Sequence, residues 1–107
     1  MIYSIEFTES AINDLRNISL YIYEYSKSIA TATHFIKKIK EACLILEKFP
    51  EAGSIPRDKV LRSMNYRFIS YDNYVIFYYF DKEKSISFIL SIFNSKQDYI
   101  NIIKKYI

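Results

Sequence analysis

The chain has 107 residues, half of them hydrophobic and a quarter charged, which is enough for one folded domain spanning 1–107 around a hydrophobic core. A single cysteine excludes an internal disulfide, and no signal peptide or apolar run of about 20 residues is visible, so we expect a cytoplasmic protein with no membrane partner. The net charge of +3 is uneven, since the first 36 residues sum to −2 and the rest to +5, which favours an acidic or nucleic-acid partner on the C-terminal side.

A strand and a helix are the first elements that the sequence predicts. Tyr3, Ile5 and Phe7 alternate with polar residues, which predicts a strand over residues 2–7. Thr8 follows and is suited to cap a helix. Beyond it, apolar residues recur at steps of four and three. This spacing predicts a helix to about residue 25, with a buried stripe at positions 11, 15, 18, 22 and 25.

A second helix is predicted after a polar break near residues 26–31, and together the two helices form an antiparallel hairpin. Pro50 and Gly53 end this helix in a turn, and Gly53, the only glycine in the chain, is expected to have a positive φ. Glu47 and Glu51 flank the helix end and are interpreted as solvent-facing. The predicted buried stripe comprises Phe35, Ile39, Ala42, Leu46 and Phe49.

From residue 60 the pattern changes to short aromatic and β-branched segments, which predict strands near 66–70, 74–80 and 85–93. We expect Tyr74, Ile76 and Tyr78 to share one face of the middle strand and to pack in the core. A short helix closes the chain, with Ile100, Ile103 and Ile107 facing inward. The order β-α-α-β-β-β-α predicts an α+β fold, with the helical hairpin and the short C-terminal helix packed on a small antiparallel sheet.

Several chemistries are excluded by residue counts. One histidine and one cysteine cannot form a typical zinc site, and one glycine cannot form a phosphate-binding loop, so no metal or cofactor is expected. Cys43 lies in an apolar segment and is predicted to be buried. Arginines and tyrosines remain. The arginines can bind RNA phosphates. The tyrosines can either stack on RNA bases or pack in the core.

Three stretches in register resemble the RelE/ParE superfamily of bacterial type II toxin–antitoxin toxins. They are FTESAINDLRNISLYI, FIKKIKEACLILEKFPEAG and LRSMNYRFISYDNYVIFYYF. The long helical hairpin is more similar to the ParE branch. The resemblance implies a growth-inhibiting toxin that an antitoxin with an acidic, amphipathic tail holds inactive, as a monomer or a toxin–antitoxin hetero-oligomer. ParE-like members poison DNA gyrase, whereas RelE-like members cut messenger RNA on the ribosome without a metal.

The resemblance also implies candidate site residues. Arg62 and Arg67 fall on basic positions of the family, with Tyr66 beside them, and with Arg57 and Lys59 they form a candidate surface for the target or the antitoxin.

The segment SIFNSKQD is where family members often carry arginines and a histidine or tyrosine. Here Phe93 stands in place of that histidine or tyrosine and can transfer no proton. In the ribonuclease interpretation the catalytic set is therefore Arg62, Arg67, Lys96 and Tyr99. The leading hypothesis is a toxin that binds gyrase. The alternatives are a ribosome-dependent messenger RNA endonuclease and a degenerate member that binds its antitoxin without being toxic.

Overall fold

The computed structural model describes residues 2–97 together with Asn101 and Ile103. The helix predicted at the C-terminus lies mostly outside these residues, as do Ile100 and Ile107, while Ile103 is buried. The described elements follow the predicted order, with one short helix added before the second strand. They are β1 (Ser4–Phe7), α1 (Glu9–Ser26), α2 (Ile29–Ala42), a 3-10 helix (Cys43–Glu47), α3 (Lys59–Ser63), β2 (Tyr66–Tyr71), β3 (Tyr74–Asp81) and β4 (Ile86–Asn94).

Helices α1 and α2 form the predicted hairpin, and side chains cap both of them. The Thr8 hydroxyl accepts a hydrogen bond from the Ala11 N–H, and Ser28 caps α2 in the same way. Lys27 joins the two helices in the left-handed conformation, with φ 57°. The buried stripe of α1 stops short of its predicted end, because Tyr25 lies beside this link and is 85% exposed. The tip of the hairpin is therefore not covered by the core.

The second helix tightens before it ends. Ile39 and Leu46 are buried as predicted, but Phe49 is 62% exposed, so its placement on the buried stripe is wrong. The physical reason is the change to a 3-10 helix at Cys43, which has 3.0 residues per turn in place of 3.6. The helix then ends at Glu47, and an α-helical period no longer describes position 49.

The four described strands form one sheet in the order β1-β4-β3-β2. The β2–β3 and β3–β4 pairs are antiparallel, whereas β1 pairs with β4 in parallel, so the sheet is mixed and not antiparallel throughout. The alternation that predicted β1 identifies its buried face but not its direction. That direction is set by the two-helix connection, which carries the chain from β1 at one edge of the sheet to β2 at the other edge.

Strand β3 is covered on both faces, as its nearly continuous apolar sequence indicates. Tyr74, Ile76 and Tyr78 face the helical hairpin and join the main core, which confirms their predicted placement. Val75 and Phe77 face the other side. Leu61 of α3 and Ile103 complete that second cluster. Helix α3 was not predicted, although Asp58 caps it through the N–H groups of residues 60 and 61.

Helix α1 is fastened to β4 where the strand carries an extra residue. The register of the β3–β4 pair shifts by one residue at this point, where Phe77 pairs with Ser91 but Tyr78 pairs with Ile89. The Thr8 hydroxyl lies 2.9 Å from the carbonyl oxygen of Ile89 and can donate to it, and an Asp14 carboxylate oxygen accepts from the Ile92 N–H at 2.9 Å. Burial raises the pKa of Asp14, and the hydrogen bond from Ile92 lowers it in part. No helix in the described part of the chain is both long and apolar enough to cross a membrane.

Candidate binding cleft

A cleft of about 630 Å³ opens at the end of the sheet where β2 begins and β3 ends. One wall comes from α3 and the start of β2, and the other from the end of β3 and the turn that follows. Glu51, which follows Pro50, closes the third side. The lining residues are Glu51, Ile55, Arg62, Asn65, Tyr66, Arg67, Tyr79, Phe80, Asp81, Lys82 and Glu83.

Three of the predicted site residues meet in this cleft: Arg62, Tyr66 and Arg67. Arg62 lies on α3 and is exposed, and its guanidinium donates one hydrogen bond of 2.9 Å to the carbonyl oxygen of Arg57. Arg57 and Lys59 are both exposed and are not among the lining residues. Arg62 is thus exposed at the cleft and uses one guanidinium N–H for this bond.

Arg67 has a different environment from Arg62. Its Nη1 donates to the carbonyl oxygens of Glu51 at 3.2 Å and Gly53 at 3.0 Å, and its Nη2 lies 3.8 Å from the Glu51 carboxylate. Only 26% of its side chain is exposed. Arg67 therefore holds the loop 50–53 on the sheet, and fewer of its N–H groups are left for a ligand.

Tyr78 fastens the same loop from within the core. Its hydroxyl donates to the Pro50 carbonyl oxygen at 2.7 Å and accepts from the Gly53 N–H at 3.0 Å. Burial raises the pKa of Tyr78, with the hydrogen bond from Gly53 offsetting part of the increase, so the hydroxyl stays protonated and available as a donor. The loop is thus tied to β3 by a side chain that is fully buried.

The expected positive φ at Gly53 is wrong, because no glycine in the described chain has one. The glycine is required by close approach. A Cβ atom there would lie 2.6 Å from Cε1 of Tyr78 and 2.9 Å from the carbonyl oxygen of Phe68. The positive φ values fall on other turn residues, Asn65 and Asp72 among them.

Glu51 places a carboxylate at the cleft that sequence reasoning did not include in the site. It is 54% exposed, as a solvent-facing residue should be, but it lies between two cations: Arg67, and Lys82 at 3.6 Å. Lys82 follows β3 in the chain, so the pairing joins segments about 30 residues apart. Only the folded sheet brings them together, and no local sequence pattern signals it.

The remaining candidates lie elsewhere. Lys96 is exposed and follows β4 at the opposite end of the sheet, where Asn94 pairs with Tyr74. Arg67 is four residues along β2 from that end, a distance of about 13 Å at the usual strand rise. Tyr99 lies outside the described residues. Phe93 packs against the ring of Phe77, with 6.4 Å between the centroids.

A second cavity of about 540 Å³ adjoins the cleft. The two share Glu51 and Phe80 as walls. Phe80 stacks edge to face on Tyr3, with 5.3 Å between their centroids, and Phe49 is exposed beside them. The cleft and the cavity therefore form one groove with a charged half and an aromatic half.

Cys43 does not line this groove. Cys43 is buried as predicted, and burial raises its pKa to about 12, which keeps it a neutral thiol. Within ranges 2–97, 101 and 103, no three His, Cys, Asp or Glu side chains are grouped so as to hold a metal ion.

Comparison with known proteins identifies a family. The family model described as "ParE toxin of type II toxin-antitoxin system, parDE" matches residues 5–99. No curated protein matches the chain.

Solved structures of toxin–antitoxin proteins share the fold at low sequence identity. The chromosomal ParDE system from P. aeruginosa has a TM-score of 0.69 at 18% identity, covering 87% of this chain and 96% of that one. The RelBE2 toxin–antitoxin complex from Mycobacterium tuberculosis has a TM-score of 0.63 at 18% identity, covering 88% and 99%. A RelE toxin mutant from E. coli in the free state has a TM-score of 0.65 at 16% identity and covers both chains fully. The predicted α+β fold of the RelE/ParE type is thereby confirmed.

Proposed function

Because the chain belongs to the ParE toxin family of type II toxin–antitoxin systems, we propose that it inhibits growth by binding a cellular target, DNA gyrase, without cutting RNA. A cognate antitoxin neutralises it, and two of the structural neighbours above are toxin–antitoxin assemblies. In this proposal the open face of the cleft, with Arg62 and Tyr66, contacts the target.

The observation that supports binding over cleavage is the position of Lys96. A metal-independent ribonuclease needs its acid, its base and its phosphate-binding cations within hydrogen-bond reach of one phosphate group. The sheet end that precedes Lys96 lies about 13 Å from Arg67 at the usual strand rise, so we expect Lys96 to be too distant to act on a phosphate held by the two arginines. Phe93, which stands where the family often has a histidine or tyrosine, is packed in the second cluster, so among the residues described up to 97 it offers this cleft no proton-transfer group.

The test compares DNA supercoiling with transcript cleavage for the same purified protein. We expect inhibition of gyrase supercoiling, with ribosome-bound transcripts left intact. Arg62→Gln should weaken gyrase inhibition. The matched control Arg16→Gln removes another exposed arginine, on α1, and should retain gyrase inhibition.

Cleavage at a fixed codon phase, with supercoiling unaffected, would contradict the gyrase proposal. Normal growth after induction of a demonstrably folded protein would favour the third alternative, a degenerate member that binds its antitoxin without toxicity.

One observation favours the ribonuclease alternative strongly enough to test. The Glu51 carboxylate lies in the same cleft as Arg62 and Arg67, where it can take a proton from a ribose hydroxyl while an arginine stabilises the phosphate. In that case Glu51, and not Lys96, is the base. Glu51→Gln would then abolish transcript cleavage without changing stability. If the protein acts by binding alone, the same variant keeps its inhibition of gyrase.

A further inference from the structure

The hairpin tip, residues 20–29, extends past the end of the sheet. Phe35 of α2 packs on Tyr71 and Tyr74, with 5.8 and 5.7 Å between the ring centroids. Those two tyrosines are the last residue of β2 and the first residue of β3. Ile29 begins α2 six residues before Phe35, which corresponds to about 9 Å along the helix axis. The start of α2 and the end of α1 therefore have no described strand beneath them.

The core-facing stripes of both helices continue into this tip. On α1, Ile18 is buried, whereas Tyr21 and Tyr25 follow on the same side of the helix and are 59% and 85% exposed. On α2, Ala32 is buried, whereas Ile29, one turn earlier, is 73% exposed. Because side chains three, four or seven residues apart share one face of a helix, the face that packs in the core elsewhere is uncovered at the tip.

The charged groups at the tip are balanced. It carries one carboxylate, Glu24, and one ammonium group, Lys27, and neither forms an ion pair in the part of the chain that the structure describes. The adjoining end of the sheet adds one exposed group of each sign, Asp72 and Lys96. A strongly charged partner would meet as much repulsion as attraction here. A second copy of the chain brings the same balance of charges together with an apolar surface of its own.

We propose that the hairpin tip is a self-association surface, through which two copies of the chain form a reversible dimer with two-fold symmetry. In such a contact the same patch of both copies meets itself. When the two tips lie antiparallel, with the axis beside residues 25 and 26, each Glu24 faces the partner's Lys27. Each Tyr21 then lies near the partner's Ile29. One arrangement therefore pairs the charges and covers the apolar side chains.

The exposed area indicates how strong this dimer is. With about 200 Å² for a whole tyrosine side chain, Tyr21 and Tyr25 together expose about 300 Å². Ile29 brings the apolar patch to roughly 400 Å² in each copy, so a two-fold contact buries roughly 800 Å². Stable complexes bury about 1,200–2,000 Å², and smaller interfaces are typical of transient contacts. We therefore expect a dissociation constant between about 10 µM and 1 mM.

The dimer leaves the binding cleft open. The cleft lies where β2 begins and β3 ends, whereas the hairpin tip adjoins the opposite end of the sheet. Each dimer thus presents two open clefts. Self-association depends on neither gyrase nor the antitoxin, so this inference does not rest on the proposed function.

Sedimentation equilibrium of the purified full chain between about 10 µM and 1 mM tests the dimer. We expect the weight-average mass to rise with concentration from 12.8 kDa towards twice that value. Ile29→Ser should weaken association by at least about fivefold, because it removes an apolar side chain from both copies. Leu44→Ser, which changes an exposed aliphatic residue of the 3-10 helix, should leave association unchanged. Both positions are exposed, so we expect both variants to fold.

Charge reversal tests the two-fold geometry. Glu24→Lys and Lys27→Glu each place like charges opposite one another at both symmetry-related contacts, so each variant alone should associate about two- to tenfold more weakly. An equimolar mixture of the two variants should associate as tightly as the natural chain, because every contact between unlike copies then joins opposite charges. A patch made for a different partner would not produce that recovery.

The proposal is overturned if the mass stays at 12.8 kDa up to about 1 mM, which would mean that the tip serves another partner or none. It is also overturned if Leu44→Ser weakens association as much as Ile29→Ser does, or if the mixed charge variants associate no better than either variant alone. Gyrase inhibition is assayed separately on the natural chain. Its absence would reject the proposed function and leave the dimer standing, whereas a monomeric protein that inhibits gyrase would do the reverse.

Discussion

Arg62 and Arg67 stand five residues apart at one end of the sheet, and they belong to two different regions of the cleft. On the inner side, Arg67, Tyr78 and Gly53 are tied together by hydrogen bonds between the sheet and the loop 50–53. On the outer side, Arg62 and Lys82 are exposed to solvent. The inner side stabilises the fold and the outer side is available to partners. Residue type alone therefore does not assign a role, because the partners of each guanidinium decide it.

The largest expected effect comes from a substitution at Gly53, which disturbs the packing of the inner side of the cleft. Gly53→Ala places a methyl group 2.6 Å from the ring of Tyr78, which is fully buried and cannot move aside. We expect a loss of about 2–3 kcal/mol in the free energy of unfolding, typical of overpacking. Urea denaturation measures it. The control Ala52→Ser changes an exposed residue of the same loop and should cost less than about 0.5 kcal/mol. Equal stability of the two variants would show that the loop is not held against Tyr78.

The next largest effect comes from comparing the stability of variants at the two arginines. Arg67→Gln removes hydrogen bonds to two backbone carbonyl groups and should lower the free energy of unfolding by about 1–2 kcal/mol. Arg62→Gln should change it by less than about 0.5 kcal/mol. Gyrase inhibition, corrected for the folded fraction, should show the opposite order. If Arg62→Gln proves the less stable of the two, the division into an inner and an outer side fails.

A smaller effect concerns Asp14, a half-buried carboxyl group on α1. Its pKa is raised by burial, so the folded protein binds a proton more readily than the unfolded chain, and this group's contribution to stability decreases as the pH rises through the folded pKa. Asp14→Asn can still accept from the Ile92 N–H but does not titrate. We expect the natural chain to gain stability relative to this variant as the pH falls from 7 towards 4.

Urea denaturation at several pH values checks the Asp14 prediction. A constant difference between the two proteins across that range would contradict the raised pKa. Asp14→Ala, which leaves the Ile92 N–H without its acceptor, should be less stable than Asp14→Asn at every pH.

Local periodicity was sufficient for most of the fold. The hairpin helices, strands β2–β4 and the inward face of β3 all follow from apolar spacing and caps, because neighbouring residues determine those features. The predictions that failed depend on residues distant in sequence. The reason for Gly53 lies 25 residues away, at Tyr78, and the parallel direction of β1 depends on the path of the two helices.

The candidate site was harder to predict for the same reason. Arg62, Tyr66 and Arg67 are close in sequence and meet in the cleft. Glu51 and Lys82 join it from separate segments, and Lys96 follows a strand that runs to the other end of the sheet. A family resemblance transfers positions in the sequence, but it does not transfer the hydrogen bonds that occupy Arg67.

The smallest expected effect concerns Ser87 in the core. It tests the rule drawn from Arg62 and Arg67, that the partners of a polar side chain decide whether it stabilises the fold. Ser87 is fully buried, and its hydroxyl is the buried side-chain polar atom without a hydrogen-bond partner among the described residues. Because an unpaired hydroxyl is costly to bury, Ser87→Ala should leave the free energy of unfolding unchanged or raise it by up to about 1 kcal/mol. Ser70→Ala, at an exposed position of β2, should have no effect. A loss of more than 1 kcal/mol at Ser87 would mean that its hydroxyl is bonded. Ser87 would then resemble Arg67, whose hydrogen bonds stabilise the fold, and not a polar group that is buried without a partner.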